Sequence, residues 1–119
     1  MNTLADLVTG FVALEHLGFL ILEMFLWKTP TGLKTFQMTQ EFASSSANLA
    51  ANQGLYNGFL FAGLAWSLVP SSPANATPVR IFFLSCVALA GIFGAFTVSK
   101  RIFFIQALPA AVGIALQLI

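Results

Sequence analysis

The chain has 119 residues, a formal net charge of +1, and a composition that is 58% hydrophobic and only 8% charged. Soluble domains carry roughly a quarter charged residues, so this chain lacks the polar side chains that would cover a water-exposed surface. The length is that of one domain, and the near-neutral charge without a basic cluster excludes a nucleic-acid-binding protein. Its single cysteine, Cys86, excludes an intramolecular disulfide. The composition therefore predicts an integral membrane protein in contact with the lipid bilayer.

The first predicted helix covers about residues 4–27 and ends before Lys28 and Pro30. No basic residue precedes its apolar run, which is longer than the roughly 7–15 residues of a signal-peptide core. We therefore expect a retained transmembrane helix. Its stretch ALEHLGFLILEM carries two carboxylates and the only histidine of the chain, namely Glu15, His16 and Glu23.

Three further apolar segments predict helices over about residues 40–69, 80–99 and 102–119. Thr39 suits the N-cap of the second helix, and Pro109 is expected to kink the fourth. The segment PSSP ends the second helix, and the short segment SKR makes the last two helices a tight antiparallel hairpin. The predicted fold class is all-α: an integral membrane four-helix bundle that forms one domain over residues 1–119.

Basic residues are distributed unevenly between the predicted connections. The first and third connections contain Lys28, Lys34, Lys100 and Arg101, whereas the opposite side contains only Arg80. Cytoplasmic connections of membrane proteins carry the excess of Lys and Arg. The pattern predicts a multi-pass protein of the cell membrane with both termini outside.

The three polar residues of the first helix are expected to face the protein interior. A charged side chain near the bilayer centre costs roughly 2.5–3.5 kcal/mol on insertion scales, so such groups usually avoid lipid. At 100° per residue, His16 and Glu23 share one face, with Glu15 about a quarter turn away. This arrangement predicts a polar edge turned toward a neighbouring helix.

The second helix supplies candidate partners in the stretch AANQGLYNGF. We expect four polar residues to form one stripe, and four small residues to form a ridge beside it that allows close helix approach. The stripe contains Asn52, Gln53, Tyr56 and Asn57, and the ridge contains Ala50, Gly54, Gly58 and Ala62. Antiparallel pairing of the first two helices predicts Glu23 level with Asn52 and Gln53, and His16 nearer Asn57.

Several stretches resemble a family of small four-helix bacterial membrane proteins known only as domain of unknown function thirteen-zero-four. They are FVALEHLGFLILEMFLW, TPTGLKTF and ANQGLYNGFLFAGL. The resemblance covers most of the chain and is strongest in the first two helices. It implies a four-helix membrane fold and brings no established activity.

The leading functional hypothesis is an intramembrane polar pocket that binds, and by extension translocates, a small molecule or ion. Its candidate ligand-binding residues are Glu15, His16, Glu23, Asn52, Gln53, Tyr56 and Asn57. One alternative is a membrane enzyme that uses Glu and His as an acid–base pair on a lipophilic substrate. Another is an accessory subunit whose polar cluster only fixes helix register.

The sequence offers few candidate residues for a metal, cofactor or catalytic site. One histidine with a seven-residue spacing to a glutamate matches no standard metal motif, so no metal site is assigned. A lone histidine is equally weak support for a tetrapyrrole ligand, and no cofactor or catalytic residue is named. Four helices make a thin wall around a pathway, so transport would need a homo-oligomer.

Overall fold

The structure, a computed structural model, describes residues 3–69 and 76–119. Its helices are α1 (Thr3–Met24), α2 (Pro30–Thr35), α3 (Gln40–Leu68), α4 (Thr77–Thr97) and α5 (Leu108–Gln117), with a π-helical turn at Phe103–Ala107. The predicted all-α class is confirmed. The described part has five α-helices because α2 forms inside the predicted first connection. The predicted break at PSSP lies outside the described residues.

Helix α1 ends at Met24, three residues before the predicted end. The N–H groups of Phe25 and Leu26 both donate to the carbonyl of Ile21, at 3.0 and 3.1 Å, which closes the helix. The next helix then begins with Thr29, whose Oγ1 accepts from the Gly32 N–H at 3.4 Å, and with Pro30 in its first turn. A proline there suits a helix start, so the chain leaves α1 before it.

By contact, the chain divides into two compact units, and α1 and α3 each contribute a segment to both. The described part of the first unit comprises residues 3–14, 60–69 and 76–119. Its apolar core draws on α1, α3, α4 and α5, because each helix contributes small or branched side chains at its buried positions. The core residues are Val12, Ala13, Leu64, Leu84, Val87 and Ala110.

Glycines bring α4 and the last helical segment of the first unit close together. A Cβ on Gly91 would lie 2.5 Å from the Ala107 backbone nitrogen, and one on Gly94 would lie 2.9 Å from Ile102 Cγ2. Gly91 lies near Ala107, and Gly94, further along α4, lies near the earlier residue Ile102. The two segments are therefore antiparallel. Ser99 Oγ accepts from the Arg101 N–H at 3.2 Å and caps the start of the returning helix.

The π-helical turn at Phe103–Ala107 lies directly before Pro109. The Leu108 N–H donates to the carbonyl of Phe103, five residues back. Proline has no N–H, and its ring crowds the carbonyl four residues earlier, so a widened turn relieves the clash. The irregularity expected at Pro109 therefore takes the form of a π turn.

The second unit, Glu15–Phe59, contains the end of α1, all of α2 and the first part of α3. Helix α3 begins with Thr39 as its N-cap, since Thr39 Oγ1 accepts from the Phe42 N–H at 3.1 Å. Trp27 Nε1 donates to Ser46 Oγ at 3.1 Å, and the Trp27 ring packs against Phe36. These contacts tie the connecting segment to α3.

Two backbone positions fix the shape of that connection. A Cβ on Gly32 would overlap the carbonyl oxygens of Leu26 and Trp27, so only glycine fits. Gln37 has a φ of 53°, and the N–H groups of Gln37 and Met38 bond to the carbonyls of Lys34 and Leu33. This is the Schellman pattern, which normally places glycine where Gln37 stands.

Two helices of the described chain, Thr3–Met24 and Thr77–Thr97, are long and apolar enough to cross a membrane by length and composition. The segment Phe103–Gln117 is apolar but shorter. Helix α3 is longer than both, but its first half is rich in Ser, Asn and Gln. Two helices of the described chain therefore have the length and composition of a membrane span, whereas the sequence predicted four such helices.

Candidate functional site

Glu23 and Asn57 form a direct hydrogen bond within the second unit. Asn57 Nδ2 donates to Glu23 Oε1 at 2.5 Å, and Asn57 is 6% exposed. Glycines permit the approach of the two helices: a Cβ on Gly54 would lie 3.1 Å from Glu23 Cβ, and one on Gly58 would lie 2.7 Å from Leu20 Cδ1. Of the predicted small-residue ridge, Ala50 is also buried, whereas Ala62, in the first unit, is exposed.

This pairing differs from the sequence expectation by about one helical turn. Glu23 was expected level with Asn52 and Gln53, but its carboxylate accepts from Asn57. Side chains on an α-helix lean toward the N-terminus, so a long side chain covers the turn before its own Cα. The Cβ of Glu23 lies beside Gly54, and its carboxylate accepts a hydrogen bond from Asn57.

Glu15 and His16 occupy different environments on α1. One carboxylate oxygen of Glu15, Oε1, is buried and has no hydrogen-bond partner among the described residues. His16 is fully buried, and its ring meets Phe19 edge-on with centroids 5.2 Å apart. A buried acceptor without a donor costs about 1–3 kcal/mol, so Glu15 is the least satisfied polar group of this unit.

The other three candidates on α3 lie on its exposed side. Asn52, Gln53 and Tyr56 are exposed, and the Tyr56 ring packs against Phe59 at a centroid distance of 6.0 Å. At 100° per residue, Asn57 lies about 100° from Tyr56 and about 140° from Asn52. The arc is too wide for one face, so the structure unites Asn57 with Glu23 and leaves the other three outside that pair.

A second polar cluster, in the first unit, was not predicted. Arg80 Nη1 binds Asp6 Oδ1 at 2.5 Å, and its Nε and Nη2 donate to the Ser67 carbonyl at 3.2 and 2.8 Å. Arg80 thereby neutralises a carboxylate at the start of α1 and caps the end of α3, two arrangements that the helix dipoles favour. Gln117 Nε2 also lies 3.5 Å from Thr9 Oγ1.

The sequence contained a signal for this cluster. Asp6 and Arg80 carry opposite charges and fall on the same predicted side of the membrane, where no other charged residue was placed. Thr9 lies seven residues before His16, which itself lies seven before Glu23, so all three share one face of α1. Thr9 and His16 are both fully buried.

A groove in the first unit has a volume of about 560 Å³ and is open and mainly apolar. It runs between the first part of α1 and the last part of α3, where Phe11, Leu14 and Phe61 line it. The candidate residues Glu15, His16 and Glu23 do not line it. Among the described residues, no group of three or more His, Cys, Asp and Glu side chains is placed to hold a metal ion.

Comparison with known proteins gives one family and one relative. A family model described as "Protein of unknown function (DUF1304)" matches residues 10–118. A protein of Lactococcus lactis subsp. lactis (strain IL1403), described as "Uncharacterized protein YpaA", is 32% identical over 108 residues, which cover 89% of each chain. No solved structure matches the chain significantly. The family resemblance found in the sequence is thereby confirmed.

Proposed function

The chain belongs to the DUF1304 family, and we propose that it is a multi-pass protein of the cell membrane, built as a four-helix bundle with both termini outside. Helices α1 and α4 are about 33 and 32 Å long at 1.5 Å per residue, which suits a hydrocarbon core of about 30 Å. Large apolar side chains are exposed along both, including Leu7 and Phe93 at 66% and 71%. Exposure of these apolar surfaces to water is unfavourable, whereas contact with lipid chains is not.

We further propose that Glu15 and His16, together with the Glu23–Asn57 pair, form a binding site for a small ligand in the second unit. The observation that supports this is the buried Oε1 of Glu15, which has no hydrogen-bond partner among the described residues. Buried polar atoms are almost always hydrogen-bonded, and exceptions call for a functional explanation. Glu15 and Glu23 would supply negative charge or acceptor oxygens, and His16 would supply a titratable partner.

The unpartnered atom defines the chemistry of the ligand. A carboxylate oxygen accepts hydrogen bonds or coordinates cations, and only a protonated carboxyl donates. The complementary ligand is a proton, a small cation or a molecule that presents N–H or O–H groups. Asn57 already donates to Glu23, so it would position that carboxylate and leave its second oxygen for the ligand.

A contribution to the pathway from Asn52, Gln53 and Tyr56 requires a homo-oligomer. Within one chain these three side chains are exposed, and the hydrogen bond to Glu23 comes from Asn57. A homo-oligomer that covers this face of α3 would add their amide and phenol groups to a pathway. Translocation is therefore assigned to the oligomer and ligand binding to the single chain.

Flux measurements in liposomes test the proposal. The full chain is reconstituted, and fluxes of protons, Na⁺ and methylammonium are measured for the wild type and for Glu15→Gln and Glu23→Gln. The amide introduced by Glu23→Gln retains an acceptor oxygen for Asn57, so the fold should persist while the charge is lost. The matched control is Glu41→Gln, which removes an exposed carboxylate from the same unit. Flux in the wild type and the control that disappears in both variants supports the proposal, and unchanged flux in both variants contradicts it.

A structural role is the second candidate, and the Glu23–Asn57 bond favours it. This bond joins α1 and α3 at two residues 34 apart, beside the glycines that allow close approach. An accessory subunit would use it to fix helix register. In that case, Glu23 and Glu15 variants would lose stability or assembly and would show no flux defect beyond that loss.

A further inference from the structure

The turn between α4 and the last helical segment carries two cations, for which the described first unit offers no free carboxylate side chain. Lys100 and Arg101 are both exposed. The four carboxylate side chains of the sequence are Asp6, Glu15, Glu23 and Glu41, so none follows Glu41 in the chain. Within the first unit as described, Asp6 is already paired with Arg80. Within the described part of the first unit, the positive charge of the turn is therefore not compensated by a carboxylate side chain.

An apolar groove of about 270 Å³ adjoins the same turn. Lys100 lines it together with Phe96, Phe103 and Phe104, and Ala95 leaves room because its side chain is small. Phe96 is 88% exposed and Phe104 is 64% exposed. The Phe103 and Phe104 rings contact each other edge-on, at a centroid distance of 5.3 Å. The groove thus combines aromatic walls with an ammonium group.

We propose that this groove binds one anionic phospholipid, with an acyl chain segment against Ala95 and the phenylalanines and the phosphate near Lys100 and Arg101. The apolar lining and the adjacent unpaired cations are complementary to an amphiphile with a negative headgroup. A free phosphate would leave the aromatic groove unfilled. A headgroup that also carries an amine would place that amine near two cations, and the described first unit has no free carboxylate side chain to receive it.

This inference depends on the membrane location proposed above, and not on the ligand site at Glu15. A basic residue near an anionic membrane surface contributes about fivefold to binding, so two contribute roughly thirtyfold. The preference for phosphatidylglycerol over phosphatidylcholine is therefore expected to be of the order of thirtyfold. Positive charge alone would give part of this preference at any basic loop, so the groove needs a separate test.

Native mass spectrometry of the detergent-solubilised full chain provides that test. The protein is titrated with phosphatidylglycerol, phosphatidylethanolamine and phosphatidylcholine of the same acyl length, and the bound fractions are compared. The variant K100Q/R101Q removes two cations from the proposed site. The matched control K28Q/K34Q removes two exposed cations from the other basic connection. Ala95→Leu fills the groove and leaves all charges in place.

We expect phosphatidylglycerol selectivity in the wild type and in K28Q/K34Q, and its loss in K100Q/R101Q and Ala95→Leu. Equal loss in the two double variants would overturn the proposal, since it would mean that only overall surface charge matters. Retention in Ala95→Leu, or no selectivity in the wild type, would also overturn it. Circular dichroism checks that each variant is folded, and K100Q/R101Q decides the outcome if Ala95→Leu is not. Because no flux is measured, the result is independent of the Glu15 and Glu23 experiments.

Discussion

The two units of the chain are stabilised by different interactions. The first has a core of buried aliphatic side chains, and its charged groups Asp6 and Arg80 bind each other. In the second, the buried residues include His16, Asn57 and two glycines, and one oxygen of Glu15 has no partner. The first unit also buries the polar side chains of Thr9 and Ser67, but their hydroxyls donate to the carbonyls of Ala5 and Leu64. The contrast therefore lies in how the buried polar groups are satisfied, and the one without a partner among the described residues lies in the second unit.

Of the substitutions considered, Gly32→Ala should cause the largest loss of stability, and it lies in the second unit. The new Cβ would overlap two backbone carbonyl oxygens in the second unit, which cannot move aside as a side chain can. We expect a loss of about 3 kcal/mol in the free energy of unfolding. Denaturant unfolding in detergent measures it. The control is Gly18→Ala, where a Cβ would meet nothing within 4 Å beyond its chain neighbours and the adjacent backbone of its own helix, and where alanine should stabilise the helix slightly. Equal stability of the two variants would contradict the prediction.

Replacing Arg80 tests the ionic part of the first unit. Arg80→Met leaves Asp6 without its partner and the Ser67 carbonyl without its donors. The expected loss is about 2 kcal/mol, since hydrogen bonds to charged groups are worth about 1.5–3 kcal/mol. Arg80→Lys should recover only part of this, because an ammonium cannot reproduce the planar fork. Full recovery by lysine, measured by the same unfolding assay, would show that charge alone suffices.

Matched substitutions of the two glutamates of α1 should act in opposite directions. Glu23→Met leaves the buried Asn57 amide without its acceptor and should cost about 2 kcal/mol. Glu15→Met removes an unpartnered buried oxygen and should gain about 1 kcal/mol while abolishing ligand binding. Thermal melting in detergent gives both signs. If Glu15→Met were also destabilising, Glu15 would be a structural residue, and the functional reading of the second unit would lose its main support.

Gln37→Gly should give the smallest change, a gain of up to about 1 kcal/mol. Gln37 has a left-handed backbone conformation at the end of α2, which costs a residue with a Cβ about 1–2 kcal/mol. Glycine removes that cost, although its more flexible unfolded chain offsets part of the gain. The control is Gln53→Gly, in the interior of α3, where glycine should destabilise. A loss of stability in Gln37→Gly would mean that its side chain makes a contact of its own.

The helices were predictable to within a few residues where their limits are set locally. Thr39 was identified as the N-cap of α3 because its hydroxyl precedes a helical pattern, and its bond to Phe42 N–H is present. Helix α2 was missed because six residues give too short a pattern to recognise. The end of α1 was placed too late because the apolar sequence continues through Phe25 and Leu26, whereas the helix ends at Met24.

The polar residues of α1 were recognisable from sequence, since carboxylates and a histidine are costly in an apolar helix. Their partners were not. The pairing of Glu23 with Asn57 rather than Asn52 depends on the lean of the side chain and on how far α1 is displaced along α3. If α1 is displaced along α3 by one helical turn, Glu23 faces a different amide side chain. The hydropathy of the two helices is the same in both arrangements, so it does not distinguish them.

The sequence by itself determined that this chain is helical, belongs to its family, and carries costly polar groups in α1. Composition is a property of the whole chain and periodicity a property of a local segment, so both can be read from the sequence without knowing which helices pack together. Only the tertiary structure decided which of those groups are satisfied: Glu23 by Asn57, Asp6 by Arg80, and Glu15 Oε1 by no described residue. These pairings join residues 34 and 74 positions apart, and their distances depend on the packing of whole helices.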